Sequence, residues 1–459
     1  MSFERKHIVI VLVSLLFIWS GGFLFSAAKF SENLILMFYG SVVIIFPVYF
    51  YTRDIVLTGV SLMLATSLLF SSEFHNSLSI IIATNLPLLM ILIFAVFSYL
   101  LNGGKLNLKL NYVQKPVLIF FLYNLIIYIA GLSNGTSYNS SIEIINISMY
   151  GAILLLPGFI KDDESYYKLI KITMFILLSI AIQYTVINLF ISSRRFVTFQ
   201  ADLLPFGIGI ASAYFVYSKK NKLFGGVIAF LITFGLVITL TRGLWVAALA
   251  TISLVGMFWL YEKGYSVKKM IVIVSLVILA GIGYVVKNTG SQNLNQGNTV
   301  EDRAKGFTNP TEDHSLLMRV ELGFYIVQKI IAKPFTGHGF GDFVQYKFLG
   351  KRKGRIIYPD NSYLYLIWKI GLIGFLIYSW MIYRIFRQGI NILRFTKNKL
   401  HKIIILGTLA GFCGILVYSL TTPSLIAYNK LNLLYVILFT GVELFNKTGR
   451  VKEYEKNLN

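Results

Sequence analysis

The chain has 459 residues, of which 56% are hydrophobic and 14% are charged, and its formal net charge is +22 at pH 7. The charged residues lie in short gaps between apolar runs of about 15–25 residues, and helices of that length cross a bilayer core of about 30 Å. Most runs have no polar face at the helical period, which excludes an ordinary soluble domain. The sequence therefore predicts an all-α membrane protein.

The apolar runs predict about 12–14 membrane helices packed in a bundle. The first run follows Arg5 and Lys6 but is too long for a signal peptide and lacks a small-residue cleavage pattern, so we expect an uncleaved helix. The predicted helices are 8–28, 33–51, 54–71, 79–101, 114–132, 143–160, 168–192, 203–217, 223–240, 243–261, 268–287, 362–386, 402–420 and 427–445.

Two of these helices are unusual. Only Thr52 and Arg53 separate 54–71 from the helix before it, and 203–217 contains Pro205 and two glycines. Because irregular backbone inside a membrane occurs where it lines a cavity, 203–217 could be a broken helix at a site.

Lys and Arg in the short gaps predict the orientation. The gaps 105–115, 161–171, 218–222, 261–269 and 387–402 and the C-terminal tail are basic, whereas 30–33, 71–77, 133–141 and 421–426 are nearly free of positive charge. Basic gaps favour the cytoplasm, so both termini are predicted to be cytoplasmic. The net charge is then a signal of topology, and no nucleic acid partner is expected.

Three parts of the chain follow from this topology. Residues 1–287 hold the first helices, 288–361 form a large extracytoplasmic loop, and 362–459 hold the last helices and a cytoplasmic tail. Within the loop, 315–332 has the spacing of an amphipathic helix at the membrane interface. The glycine-rich segment 336–343, which contains His338, lacks the flanking strand and helix of a dinucleotide site and predicts a tight turn.

Several arginines lie on the side that the orientation disfavours: Arg194, Arg195, Arg242 and, in the loop, Arg319. They suggest an anionic ligand, although loop arginines can also be merely solvated. Arg242 lies in Thr-Arg-Gly at the start of a helix, where backbone N–H groups and a guanidinium group suit a phosphate. An interfacial arginine that reaches the headgroups is the alternative.

Asp360 lies at the mouth of the helix that begins near 362. A carboxylate there can act as a general base, or it can cap the helix N-terminus. The single cysteine, Cys413, excludes an intramolecular disulfide. The histidines are scattered, so we expect no metal and no cofactor; they are His7, His75, His314, His338 and His401.

The order of motifs over 241–375 resembles the O-antigen ligase and O-antigen polymerase family of bacterial membrane glycosyltransferases. The motifs are Thr-Arg-Gly at 241–243, Arg319, Lys-Pro-Phe-Thr-Gly-His-Gly-Phe-Gly at 333–341, Asp-Asn-Ser-Tyr-Leu at 360–364 and Lys-Ile-Gly-Leu-Ile-Gly at 369–374. Upstream, 194–202 followed by Leu-Leu-Pro resembles a weaker element of the family. The resemblance implies a helical bundle like that of the GT-C glycosyltransferases.

The resemblance implies a donor glycan on undecaprenyl pyrophosphate, held at its pyrophosphate by Arg242 and Arg319, with Arg194 and Arg195 as further candidates. Asp360 takes the position of the family's catalytic motif, beside Asn361, and His338 is a secondary candidate base. Ligases of the family have His where this chain has Asp360, which favours a polymerase of O-antigen, capsule or exopolysaccharide repeat units in the bacterial inner membrane.

Two other functions stay open at this point. A ligase would transfer the finished glycan to an acceptor, and a lipid-glycan flippase would show internal repeats, which the two halves of the chain lack. Besides membrane lipid, a polymerase would be expected to work with a flippase and a chain-length regulator.

The orientation gives a direct test. With Cys413 replaced by Ser, a cysteine introduced at position 297 should react with an impermeant thiol reagent in intact cells, because 290–358 is predicted to lie outside. Labelling only after permeabilisation would contradict this topology.

Overall fold

The structure is a computed structural model that describes residues 51, 112–132, 143–144, 147, 149–160, 162–191, 199–218, 221–239, 241–265, 314–348, 352–425 and 429–456. The helices are α1 (Gln114–Leu132), α2 (Ala152–Phe159), α3 (Asp163–Val186), α4 (Leu204–Tyr217), α5 (Lys222–Ile238), α6 (Arg242–Glu262), α7 (His314–Ala332), α8 (Ser362–Phe395), α9 (Lys399–Tyr418) and α10 (Asn429–Lys456). A π-helical turn (Ile187–Ile191) extends α3, a 3-10 turn (Met149–Gly151) precedes α2, and another (Phe199–Leu203) precedes α4.

The helices confirm the predicted all-α membrane class. Among the described ranges, α1, α3, α6, α8 and α9 are each long and apolar enough to cross a membrane, and α4, α5 and part of α10 form shorter apolar helices. The predicted helices 8–28, 54–71, 79–101 and 268–287, and all of 33–51 but its last residue, lie outside the described residues. The total count therefore stays a prediction.

Glycines bring the central helices into close contact. A Cβ atom at Gly209 of α4 would overlap the carbonyl oxygen of Gly407 in α9, and one at Gly414 of α9 would overlap Thr251 of α6. Small residues allow helix backbones to approach closely in a membrane, where lipid offers no hydrophobic driving force. Helices α4, α6 and α9 therefore pack closely against one another.

The expected break in 203–217 is wrong. Helix α4 is continuous from Leu204 to Tyr217. Pro205 lies in the first turn, where a missing N–H costs no helical hydrogen bond. The glycines of α4 are used for helix packing, as Gly209 shows, and not for a bend.

The broken helix is α8 instead. Gly371 has φ +67° and ψ 179°, so the helix stops after Ile370 and resumes at Leu372. Backbone of the preceding loop fills the break. The amides of His338 and Gly339 donate to the Trp368 and Lys369 carbonyls at 2.8 and 2.9 Å, and the Leu372 amide donates to the Pro334 carbonyl at 2.8 Å.

Loop 334–339 and the break in α8 thus satisfy each other's backbone groups. The Ile373 amide also bonds the Phe335 carbonyl, at 3.3 Å, and the Tyr123 hydroxyl of α1 donates to the Ile370 carbonyl at 2.8 Å. Polar backbone groups that face lipid without a partner cost several kcal/mol each, at order of magnitude about 2–7. The glycine-rich turn predicted at 336–343 therefore fits into a membrane helix.

Two further differences from the sequence prediction lie next to α8. Strands β1 (Val344–Phe348) and β2 (Arg352–Ile356) form an antiparallel hairpin, with Val344 opposite Ile356, in a segment with no predicted element. Helix α8 continues to Phe395, so most of the predicted gap 387–402 is helical.

Gly371→Ala should destabilise the protein by at least about 2 kcal/mol, because its backbone conformation is nearly exclusive to glycine. A Cβ atom there would also overlap the Phe335 carbonyl. The thermal midpoint of the detergent-solubilised protein measures the effect. Gly256→Ala in α6, where the Cβ atom meets nothing within 4 Å, is the matched control and should melt no lower than the parent. Equal midpoints for the two variants would contradict the close fit of loop 334–339 to the break in α8.

Candidate active site

The chain between α9 and α10 forms a turn on which several helix ends meet; we call residues 418–425 the 418–425 turn. The Ser362 amide donates to the Ser419 carbonyl at 2.9 Å, and the Ser362 hydroxyl donates to the Thr422 carbonyl at 2.7 Å. The Asn361 side-chain amide donates to the Leu420 carbonyl at 3.2 Å. The start of α8 is therefore fixed to this turn.

The start of α6 lies against the same turn. A Cβ atom at Gly243 would lie 2.7 Å from the Thr421 Oγ1 atom and 2.8 Å from the Tyr418 ring. Only glycine allows this approach, which explains the glycine of the Thr-Arg-Gly motif. Arg242, the first residue of α6, is consequently placed at the end of the bundle where α8 begins.

Arg319 and Asp360 form an ion pair. The Arg319 Nε atom donates to the Asp360 Oδ2 atom at 3.0 Å, and α7 packs against α8. The two side chains are 37% and 47% exposed, so the pair contributes at most about 1 kcal/mol to stability. The pair matters for the geometry of the site, because it brings together two motif residues that are 41 positions apart in the sequence.

Asn361, and not Asp360, caps α8. The Asn361 Oδ1 atom accepts from the amides of Tyr363 and Leu364, each at 3.0 Å. The alternative in which Asp360 serves as the helix cap is therefore excluded. The Asp360 carboxylate lies outside the helix and faces Arg319.

His338 belongs to a different cluster. Its Nε2 atom lies 2.7 Å from the Lys329 carbonyl, to which it must donate, and its Nδ1 atom lies 3.6 Å from the Asp342 carboxylate. Lys329 is ten residues beyond Arg319 on α7, a distance of about 15 Å along the helix. The structure thus places His338 with Asp342 and not with Asp360.

The Asp342 carboxylate holds this second cluster together. It accepts from the Lys329 ammonium at 3.1 Å and from the Trp368 indole N–H at 2.9 Å. Burial alone would raise the pKa of Asp342, but these hydrogen bonds and the charges of Lys329 and His338 outweigh it and lower the pKa below its ordinary value. Asp342 therefore stays ionised and holds the loop against the broken helix.

A buried ion pair that the sequence interpretation missed lies beside the break. The Lys369 ammonium is 2.8 Å from the Glu143 carboxylate, and both side chains are at most 1% exposed. Tyr365 donates to Glu143 at 2.7 Å, and the Gly341 amide also donates to it. An ionisable residue inside an apolar run signals a buried partner, so Lys369 within 362–386 was the available clue.

The buried pair also affects the segment that leads to Asp360. Tyr358, two residues before Asp360, is in the range of the Glu143 charge. Burial and this charge raise the pKa of Tyr358 well above its ordinary range, so its hydroxyl remains protonated.

Arg194 and Arg195 lie outside the described residues. Within the part of the chain that the structure describes, no three of His, Cys, Asp or Glu form a group that could hold a metal ion.

These features define a polytopic all-α membrane protein with a charged site where helix ends meet. Residues 227–379 match the model of the O-antigen ligase family, which confirms the resemblance seen in the motifs and supports an O-antigen ligase/polymerase-like family. The matched range contains Arg242, Arg319, His338 and Asp360. The family implies glycosyltransferase-like activity of the ligase or polymerase type. A comparison with curated proteins gave no significant match.

Proposed function

We propose that the protein is a polysaccharide polymerase that joins undecaprenyl-pyrophosphate-linked oligosaccharide repeat units at the outer face of the bacterial inner membrane. The observation that carries the proposal is the contact of Arg319 with Asp360 beside the helix end that carries Arg242. Guanidinium groups can stabilise a pyrophosphate leaving group, and a carboxylate can take the proton of the attacking hydroxyl.

The transfer is a displacement at the anomeric carbon of the donor glycan. The acceptor hydroxyl oxygen forms the new bond to that carbon, the bond to the pyrophosphate oxygen breaks, and its electron pair stays on the pyrophosphate. The hydroxyl proton passes to a base. Negative charge grows on the leaving group, so guanidinium contacts stabilise the transition state more than the bound donor.

The geometry of the ion pair suits both roles. Arg319 uses Nε for Asp360, and the described residues supply no second hydrogen-bond partner for this guanidinium group, so its two terminal nitrogens can take two pyrophosphate oxygens. Asp360 uses Oδ2 for Arg319, and we assign its Oδ1 atom to the acceptor hydroxyl. The ion pair then places the base beside the leaving group, which aligns both ends of the displacement.

A ligase is the second candidate, because the family model that matches is described as an O-antigen ligase. Asp360 in place of the ligase histidine favours the polymerase. Analysis of lipid-linked glycans after loss of the gene separates the two. Single repeat units on the lipid carrier would support a polymerase, and full-length polymer stranded on the carrier would support a ligase.

Arg242→Ala and Arg319→Ala should each abolish polymer, and the Lys variants should recover little, because an ammonium cannot reproduce a bidentate fork. Polymer is measured by gel electrophoresis of cell-envelope glycans and normalised to protein in the membrane. Arg394→Ala, at the exposed far end of α8, is the control and should remain active. Parent-like activity of both Lys variants would show that the arginines act only as surface charge.

Asp360→Asn should lower the transfer rate by about 10²-fold or more, since the amide cannot take the proton. The start of α8 should stay intact, because Asn361 is the cap. Purified protein with a lipid-linked repeat unit gives the rate, and undecaprenyl pyrophosphate binding should be retained. Asp360→His, the residue of the ligases, should keep measurable activity. Full polymer formation by Asp360→Asn would exclude a base role.

A further inference from the structure

Asp202 is a buried carboxylate that the proposed transfer does not use. It lies in the 3-10 turn before α4 and is 3% exposed, so it does not reach a substrate. The Ser424 hydroxyl donates to its Oδ2 atom at 3.2 Å, and the Tyr418 hydroxyl also donates to the carboxylate. These two donors are the first residue and the next-to-last residue of the 418–425 turn.

The Asp202 carboxylate therefore links the two ends of the turn. Within the turn, the Thr422 and Ser424 hydroxyls lie 2.5 Å apart, and Thr422 also bonds the Tyr418 carbonyl at 3.3 Å. The Tyr435 hydroxyl of α10 donates to the Ser424 carbonyl at 3.1 Å. A carboxylate can accept from two hydroxyls at once, which an apolar side chain at 202 could not do.

The same turn holds the residues next to Asp360. Ser362 and Asn361 bond its carbonyls, and the Leu425 amide donates to the Ser362 hydroxyl at 3.2 Å. Gly243, next to Arg242, packs on Thr421. A change in the shape of the turn would therefore move Asp360 relative to Arg242.

We infer that Asp202 is a positioning residue that sets the relative places of Asp360 and Arg242 by holding the two ends of the 418–425 turn. The inference rests on the proposed function for its effect on activity. The hydrogen bonds that hold the turn are independent of the chemical step.

The first experiment compares Asp202→Ala with Asp202→Asn, with polymer measured per folded protein in the membrane. Ala removes the acceptor that the buried Tyr418 and Ser424 hydroxyls share, so activity should fall by about 10-fold or more. Asn keeps an acceptor oxygen and should stay within about 3-fold of the parent. Equal losses would overturn the inference, because they would show that the charge is needed.

A double-mutant cycle separates positioning from general stability. Asn361→Ala should add less than about 2-fold to the loss in Asp202→Ala, because both act through the turn. The matched control is Asp163→Ala, which removes a carboxylate 3.0 Å from His401 near the start of α9, about 25 Å from Tyr418 along the helix. Its loss should multiply with that of Asn361→Ala. Multiplying losses for Asp202→Ala and Asn361→Ala would overturn the inference.

A spin label reports on the turn without any activity. Leu420 is 56% exposed, so a label on Leu420→Cys, with Cys413 replaced by Ser, should sit at the surface of the turn. Asp202→Ala should make this label more mobile, and Asp163→Ala should leave it unchanged. An unchanged spectrum in Asp202→Ala overturns the inference. A more mobile label together with parent-like activity of Arg319→Ala and Asp360→Asn would contradict the proposed function and still support the hold on the turn.

Discussion

The need to satisfy backbone hydrogen bonds away from water governs the C-terminal half of this protein. Helix α8 breaks at Gly371, and the loop 334–339 supplies both the donors and the acceptors that the break leaves open. This exchange fixes the loop, and α7 directly precedes the loop, so the position of Arg319 depends on it. The Glu143–Lys369 pair and the Asp342 cluster lie around the same break and fill the adjacent space with paired charges.

A second arrangement of the same kind holds the other side of the site. Carbonyl groups of the 418–425 turn accept hydrogen bonds from the start of α8, and the turn packs on the start of α6. It also donates a hydrogen bond to the Asp202 carboxylate. Asp360 is thus supported on two sides. Arg319, on the helix that precedes loop 334–339, contacts it directly, and its neighbours Asn361 and Ser362 bond to the 418–425 turn. Such support on two sides keeps a reactive group in a fixed position without many contacts of its own.

The sequence predicted the helices well where apolar length alone decides, as for α1, whose predicted range 114–132 is the observed one. It failed where tertiary contacts decide. Pro205 and the glycines of α4 suggested a break, whereas Gly371, which lies in a similar pattern, is the residue that breaks its helix. A glycine that packs and a glycine that bends have the same sequence signature, because only the neighbouring chain determines which is needed.

For the site, too, the sequence predicted some features and tertiary contacts decided the others. Arg242, Arg319 and Asp360 could be selected because each breaks a rule of membrane sequences or falls in a family motif. That Arg319 contacts Asp360, and that Asn361 is the cap, required the packing of α7 on α8. Asp202 ended a recognised motif, but its partners lie more than 200 residues further along the chain, so sequence reasoning gave it no role.

The break in α8 also divides the length of helix that crosses the membrane. The segment before Gly371, Ser362 to Ile370, is about 14 Å long, and the apolar stretch 372–383 after it is about 18 Å long and ends at Arg384. Neither apolar segment alone crosses a bilayer core of about 30 Å, whereas the two together have the required length. Helix α8 therefore crosses the membrane as two half-length segments, and the loop that bonds to the break supports the middle of the span.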